Sequence, residues 1–149
     1  MSERWNALKY KKSADKHYRM CQQIVVRYAS ISRDKDAYVS TLYYLGGYVI
    51  ECALKSALLE SKHDREKFYT KEELASLHLK THRIEQLFRE LQDCVDIDLP
   101  NWENFNKTTR DWTENIRYEY PLAPNKHESI INGFWRDVKI VYNALRQNY

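Results

Sequence analysis

The sequence predicts an all-α protein, an antiparallel bundle of four to five helices. Apolar residues recur every three or four positions along most of its 149 residues, and no stretch alternates apolar with polar residues as a half-buried strand does. The chain has three glycines and three prolines, too few for a fold of many short strands. Its length suits one domain, residues 1–149.

The first two predicted helices are long and joined by a polar turn. The apolar stripe of the first helix ends before the turn-forming segment SISRDKD. Its members are Ala14, His17, Tyr18, Cys21, Ile24, Val25 and Tyr28. The second helix is predicted from about Tyr38 to Lys62 and is apolar around almost its whole circumference. Such a helix is typically surrounded by others, so it should be the centre of the bundle.

The middle of the chain predicts a short helix and then a long one. Thr70 and Glu73 have the spacing of a capping box, which begins a helix. Thr81 is predicted as the N-cap of the third long helix. The apolar residues of that helix are Ile84, Leu87, Phe88 and Leu91.

Prolines set the predicted limits of the fourth helix. Pro100 should begin it, and Pro121 and Pro124 should end it. Its apolar stripe is Trp102, Phe105, Thr109, Trp112 and Ile116, with alternating spacings of three and four. Asn125 and Glu128 are predicted to cap the last helix, whose stripe contains Ile131, Phe134, Trp135, Val138, Val141, Tyr142 and Leu145.

The composition excludes some classes of protein and favours a cytoplasmic one. A net charge of +3 is too small to indicate nucleic-acid binding by itself. The three cysteines are widely spaced among apolar residues, so we expect small buried hydrophobes and a reducing compartment. No run approaches the roughly 18 apolar residues of a membrane span, so no membrane partner is expected.

Two charged residues interrupt the apolar second helix. Glu51 and Lys55 are an i,i+4 pair in the favourable order, on a line between two apolar faces. A desolvated pair of this kind requires further polar partners. The residues alone leave two interpretations: a partly wet salt bridge at a helix seam, or a cleft in which Glu51 orients an arginine or histidine of another helix.

Three segments of the chain are YYLGGYVIECALKSALLE, THRIEQLF and WTENIRYEYP, and together they resemble the HEPN family (higher eukaryotes and prokaryotes nucleotide-binding domain). YYLGGYVIECALKSALLE, residues 43–60, resembles its second helix, where a small residue precedes a hydrophobic-Glu-x-x-Leu-Lys-x-x-Leu run. THRIEQLF, residues 81–88, is similar to its His-x-Leu-x-x-Leu helix start. WTENIRYEYP, residues 112–121, resembles its late Arg-Tyr…Pro helix end. The resemblance implies a helical bundle that forms a homodimer, with polar residues of both subunits lining a shared cleft.

The resemblance also implies alternative functions. Many HEPN proteins are metal-independent ribonucleases of toxin–antitoxin, phage-defence and RNA-processing systems, and use an Arg-x(4–6)-His motif. Others lack the motif and serve as binding or regulatory partners, often of a nucleotidyltransferase. No arginine of this chain has a histidine at the family's spacing; Arg117 and His127 are separated by nine residues. The sequence therefore favours binding over cleavage.

The candidate ligand-binding residues follow from the same resemblance. Arg117 is the expected partner of Glu51, and Arg110, one heptad earlier, should share its helix face. Two interpretations stay open for these residues: a structural Glu–Arg–Lys network, or a site that faces a phosphate or nucleotide. Tyr118 and Tyr120 can stack on a base.

A histidine pair is the remaining candidate site. His78 and His82 have the i,i+4 spacing of metal ligands, but a helix that begins at Thr81 would separate them. We therefore predict no metal site and no cofactor. His82 is expected to position the start of the third long helix or, as the alternative, to line the cleft.

Three functions remain open on the sequence. The first is a dimeric module that binds RNA, a nucleotide or a protein partner such as an antitoxin or a nucleotidyltransferase. The second is a metal-independent ribonuclease with a divergent site of Arg117, His127 and Glu51. The third is a structural or regulatory interaction protein whose polar seam fixes the register of a dimer.

Overall fold

The prediction of an all-α protein is confirmed. A computed structural model describes residues 3–119 and 121–149, and within these ranges it contains helices and no β-strand. One isolated antiparallel bridge joins Trp5 to Tyr69 and fixes the N-terminal segment against the loop that precedes the third helix. Within the same ranges, no helix combines the length and the apolar character that crossing a membrane requires.

Two long helices form an antiparallel pair at the centre of the fold. α1 (Ala7–Tyr28) and α2 (Lys35–Lys62) are joined by a short connection, and α2 begins three residues before its predicted start. The hydroxyl of Ser56 on α2 donates to the carbonyl oxygen of Ala7 at 2.8 Å, which ties the start of α1 to the second half of α2. Sixteen residues of α2 are buried, so it is the central helix that its composition predicts.

Two glycines let large side chains lie directly against α2. A Cβ atom at Gly46 would overlap the ring of Phe134, and one at Gly47 would overlap the indole of Trp112. The indole Nε1–H of Trp112 donates to the carbonyl oxygen of Tyr43 at 2.9 Å. The glycines thus offset their low helix propensity by allowing close packing at the middle of the bundle.

α3 (Lys71–Ser76) and α4 (Ile84–Cys94) follow α2. The capping box of α3 is present as predicted, because the side chains of Thr70 and Glu73 each accept from the other residue's backbone N–H. The predicted N-cap of the third long helix is wrong by two residues. α4 begins after Arg83, whose N–H donates to the hydroxyl of Thr81 at 3.0 Å.

The predicted fourth helix is wrong, because three short helical pieces occupy its place. They are a 3₁₀ turn (Trp102–Asn104), α5 (Lys107–Arg110) and a second 3₁₀ turn (Glu114–Tyr118). The Asn106 side chain accepts from the N–H of Thr108, and the Asn106 N–H donates to the buried carboxylate of Asp137 at 2.6 Å. These bonds compete with helical ones and break the helix. All five residues of the predicted apolar stripe are nevertheless buried.

The last helix begins at Pro124 rather than at the predicted cap Asn125. α6 (Pro124–Glu128), a π-helical segment (Ser129–Phe134) and α7 (Trp135–Asn148) follow one another directly. α7 runs antiparallel to α1, where the rings of Tyr18 and Tyr142 stack with centroids 3.8 Å apart. Two cysteines, Cys21 and Cys52, are buried as expected, whereas Cys94 is exposed at the end of α4, contrary to expectation.

Candidate functional site

A cleft of about 480 Å³ lies between α1, α2 and the region around α3. One wall is α1, and the second is the later half of α2. The N-terminal segment and the region of α3 and the α3–α4 loop close the remaining sides. We call this space the basic cleft; the lining residues are Glu3, Trp5, Lys9, Tyr10, Ser13, His17, Tyr48, Glu51, Cys52, Lys55, Lys71, Leu74, Lys80 and His82.

A buried ion pair forms the floor of the basic cleft. The Lys55 ammonium lies 3.2 Å from the Glu51 carboxylate, and their side chains are 5% and 4% exposed. The ammonium also lies over the ring of Tyr10, 5.6 Å from its centroid. Burial of charges is tolerated only when they are paired and hydrogen-bonded. The i,i+4 spacing on α2 and the ring from α1 provide those partners here.

The second carboxylate oxygen of Glu51 holds an imidazole from the α3–α4 loop. His82 Nδ1 lies 2.9 Å from Glu51 Oε1, and the His82 side chain is 43% exposed. Because a carboxylate is an acceptor, this contact assigns the hydrogen to Nδ1. His82 Nε2 makes no hydrogen bond with any of the described residues and is therefore free to accept one from a ligand.

A second imidazole stands on the α1 wall. His17 Nδ1 lies 3.4 Å from the hydroxyl of Ser13, and the Tyr48 ring lies 6.4 Å from that of His17 and 6.2 Å from that of His82. Burial lowers the pKa of His17, so its imidazole is neutral at pH 7. The basic cleft thus contains two histidines with the same tyrosine beside both.

Two tyrosines and the cysteine of the cleft are held in their neutral forms. Burial raises the pKa of the phenols of Tyr10 and Tyr48. It also raises the pKa of the Cys52 thiol to about 11, so this cysteine is protonated and a poor nucleophile. The groups of the cleft that remain available for acid–base chemistry or charge interactions at neutral pH are therefore the imidazoles, the Glu51 carboxylate and the lysines.

The charge of the cleft is positive. Four lysines face two glutamates along the lining, which leaves a net charge of +2 with the histidines counted as neutral. Lys71 and Lys80 are exposed at the rim and form no salt bridge with a described residue, whereas Lys9 pairs with Glu3 at 3.4 Å. The aromatic rings of Trp5, Tyr10 and Tyr48 lie among these charges.

The structure brings together three of the candidate residues from the sequence, Glu51, Lys55 and His82. The expected contact between Arg117 and Glu51 is wrong, since His82 and Lys55 occupy the carboxylate instead. Arg117 lies on the second 3₁₀ turn, where its guanidinium is 4.7 Å from the centroid of the Tyr118 ring. A hydrogen bond with the Tyr44 hydroxyl raises the pKa of Arg117. Breakage of the predicted fourth helix is the reason for this different position.

The predicted nuclease pair is not assembled. His127 Nε2 lies 2.6 Å from the carboxylate of Asp36, which also accepts from the N–H of Leu122 at 3.0 Å. Arg117 instead lies beside Tyr44, which is eight residues after Asp36 along α2. Eight residues span about 12 Å of helix, so the two contacts lie well apart on α2.

The other candidates lie outside the basic cleft. Arg110 is exposed on α5 and, because the predicted helix is broken, does not share a helix face with Arg117. Tyr118 is 71% exposed, and Tyr120 lies outside the described residues. His78 has a φ of 61° at the end of α3, so it and His82 do not share a helix. The described part of the chain contains no group of three or more histidine, cysteine, aspartate or glutamate side chains placed to hold a metal ion.

Sequence reasoning missed the α1 wall. Tyr10, Ser13 and His17 are spaced by three and four residues and form a polar stripe, although the sequence prediction placed His17 on the apolar stripe. That spacing was visible in the sequence, but the position of the rim lysines Lys71 and Lys80 depends on how the loops around α3 fold back on α1 and α2.

Comparisons of the chain with protein-family models, with curated proteins and with solved structures found no match. The chemistry of the basic cleft is therefore the basis for assigning a function.

Proposed function

We propose that the chain is a HEPN-like helical module that binds RNA or a nucleotide in the basic cleft. The observation that carries the proposal is the combination of unpaired lysines with aromatic rings around one cavity. Its volume of about 480 Å³ falls in the range of small-molecule sites, which is about 300–1,000 Å³. An anion with an attached planar ring is the ligand that this lining complements.

Each part of a nucleotide has a partner in this arrangement. Phosphate oxygens accept charge-assisted hydrogen bonds from Lys71 and Lys80 at the rim. A base stacks on the rings of Trp5 or Tyr10, because every base offers a π-face to an aromatic side chain. His82 Nε2 accepts a hydrogen bond from a ribose hydroxyl or from an exocyclic amine of the base.

A titration with mononucleotides tests this proposal. UMP and AMP should quench the fluorescence of Trp5, which lines the cleft. The double variant Lys71→Ala, Lys80→Ala should bind at least about tenfold more weakly, since tenfold corresponds to about 1.4 kcal/mol. The matched control Lys107→Ala, Arg110→Ala removes the same charge from α5 and should bind as the wild type does. Absence of binding by the wild type, or equal affinities in all three proteins, would refute the proposal.

The homodimer, and a role beside an antitoxin or a nucleotidyltransferase, belong to the same proposal and rest on the resemblance to the HEPN family. Sedimentation equilibrium over a wide range of protein concentration tests the dimer directly. A single monomeric species throughout that range would contradict it, while the nucleotide titration would still judge the basic cleft.

A metal-independent ribonuclease is the second candidate, and the contact between Glu51 and His82 is the observation that favours it. A carboxylate that fixes an imidazole with its second nitrogen free is the arrangement of a general base. His82 Nε2 would take the proton of a ribose 2′-hydroxyl. The 2′-oxygen then bonds to the adjacent phosphorus, the bond from phosphorus to the 5′-oxygen breaks, and that oxygen takes a proton from solvent.

Cleavage of mixed RNA in the presence of a chelator separates the two candidates. His82→Gln should abolish cleavage, whereas Arg117→Ala and His127→Gln should retain it, because these two residues lie outside the cleft. Loss of activity in the latter variants would move the site to the first half of α2. A wild type that binds RNA without cutting it would leave only the binding function.

A further inference from the structure

The exposed face of α1 carries three cations in a row. Lys12, Lys16 and Arg19 are all exposed. At 100° per residue they fall within about 60° of one another around the helix axis. We call these three residues the basic face of α1.

The charge of this face is not neutralised within the described part of the chain. Lys12, Lys16 and Arg19 form no salt bridge with any described residue. The single acidic residue of α1, Asp15, is directed to α7, where it accepts from the Tyr142 hydroxyl at 2.7 Å and lies 3.4 Å from Arg146. The three cations therefore face solvent without a counter-charge from their own helix.

The basic face of α1 is continuous with the basic cleft. Lys9 lines the cleft and lies one helical turn before Lys12 on nearly the same side of α1. From Lys9 to Arg19 the helix rises about 15 Å, with a cation at each turn. A mononucleotide would need only the cleft lysines, whereas a chain of phosphates would contact both regions.

We propose that a single-stranded nucleic acid runs from the basic cleft along the basic face of α1, so that the ligand is an oligonucleotide rather than a mononucleotide. The inference rests on the proposed function, because it places one nucleotide of the strand in the cleft. Single strands are held in this way elsewhere, by a positively charged surface that follows the backbone and aromatic rings that stack on bases. An anionic membrane would also be attracted to the cations, but it would leave the aromatic-lined cleft unused.

The test compares three proteins: the wild type, the variant Lys12→Ala, Lys16→Ala, Arg19→Ala, and the control Lys107→Ala, Arg110→Ala, Lys126→Ala. Each is titrated with UMP and with a single-stranded oligouridylate of roughly ten nucleotides over a series of salt concentrations. Each phosphate contact with a single strand contributes about −0.7 to the slope of log K against log salt. Three lost contacts should make the slope for the α1 variant less negative by about 2.

The expected result separates the surface from the cleft. The α1 variant should bind UMP as the wild type does and the oligouridylate more weakly. The ratio of the wild-type to the variant affinity for the oligouridylate should fall about 16-fold when salt rises from roughly 50 to 200 mM, as a slope difference of about 2 requires. The control should match the wild type with both ligands, and circular dichroism should show that all three proteins are folded.

Two other results would overturn the inference while leaving the cleft as a nucleotide site. One is that all three proteins bind UMP and that their oligouridylate binding has the same dependence on salt. The other is a loss confined to phosphatidylserine vesicles in the α1 variant, which would assign the basic face to a membrane surface. If the wild type binds neither UMP nor the oligouridylate, the proposed function fails and the inference fails with it.

Discussion

Replacement of Glu51 by glutamine removes one charge from the buried ion pair and almost nothing else. The side chains of Glu51 and Lys55 are 4% and 5% exposed, and the two residues share one i,i+4 contact of 3.2 Å. Glutamine has nearly the shape of glutamate, so no cavity forms. The amide oxygen can still accept from Lys55 or His82, but the Lys55 ammonium loses its counter-charge in a site from which water is largely excluded.

The expected cost is about 3 kcal/mol in the free energy of unfolding. Removing one partner of a buried ion pair costs about 3–5 kcal/mol, and the remaining hydrogen bonds place this variant at the lower end. For a chain of this length, 1 kcal/mol corresponds to about 2–4 °C in melting temperature, so Glu51→Gln should melt about 6–12 °C below the wild type.

Denaturation by urea and by heat measures the effect, and the chain provides a matched control. Glu85 and Arg89 are also an i,i+4 pair, but their side chains are 53% and 51% exposed. Glu85→Gln should therefore leave the unfolding free energy nearly unchanged. The double variant Glu51→Gln, Lys55→Met should be more stable than Glu51→Gln alone, because it leaves no uncompensated charge.

Equal stabilities of Glu51→Gln and Glu85→Gln would refute the buried ion pair.

Sedimentation of Glu51→Gln separates the structural alternative from the binding function. A shifted balance of monomer and dimer with unchanged RNA affinity would support an interaction protein whose polar seam fixes a dimer, and would count against a ligand-binding role for the carboxylate.

Two further predictions concern His17 and Gly47. Since the folded-state pKa of His17 is lowered, the unfolded chain binds a proton below about pH 6.5 that the folded chain does not. The unfolding free energy of the wild type should therefore fall by up to about 1.4 kcal/mol per pH unit more steeply on acidification than that of His17→Gln. Gly47→Ala should destabilise the fold by about 2 kcal/mol, because the new methyl group displaces the Trp112 indole. In a Trp112→Leu background, Gly47→Ala should be neutral or stabilising, because the gain in helix propensity is then unopposed. If Gly47→Ala destabilises that background as much as it does the wild type, Trp112 is not the obstacle.

Local sequence signals predicted the elements that depend on local interactions. The capping box at Thr70 and the apolar central helix both appear in the structure. The fourth helix was predicted wrongly because a stripe with spacings of three and four is compatible with one helix and also with short turns that bury the same residues. The bond that decides between them joins Asn106 to Asp137, 31 residues later, and no local pattern reveals such a bond.

The candidate site shows the same limit. Spacing on α2 predicted the contact between Glu51 and Lys55, since both residues belong to one helix. The third member of the cluster, His82, lies in a loop, and its approach to Glu51 depends on how α3 and α4 pack beside α2. Arg117 was the wrong partner because its expected position assumed the unbroken fourth helix.

The buried ion pair on α2 is better explained by positioning than by stability. Buried ion pairs can often be replaced by apolar side chains without loss of stability, and leucine or methionine would suit a helix that is apolar around the rest of its circumference. Only one carboxylate oxygen of Glu51 contacts Lys55, and the other holds His82 Nδ1 at 2.9 Å. An apolar residue at position 51 would keep the packing but release the imidazole and the loop that carries it. The carboxylate therefore fixes an imidazole whose free nitrogen lies at the wall of the basic cleft, and this is the role expected of a residue that serves a ligand.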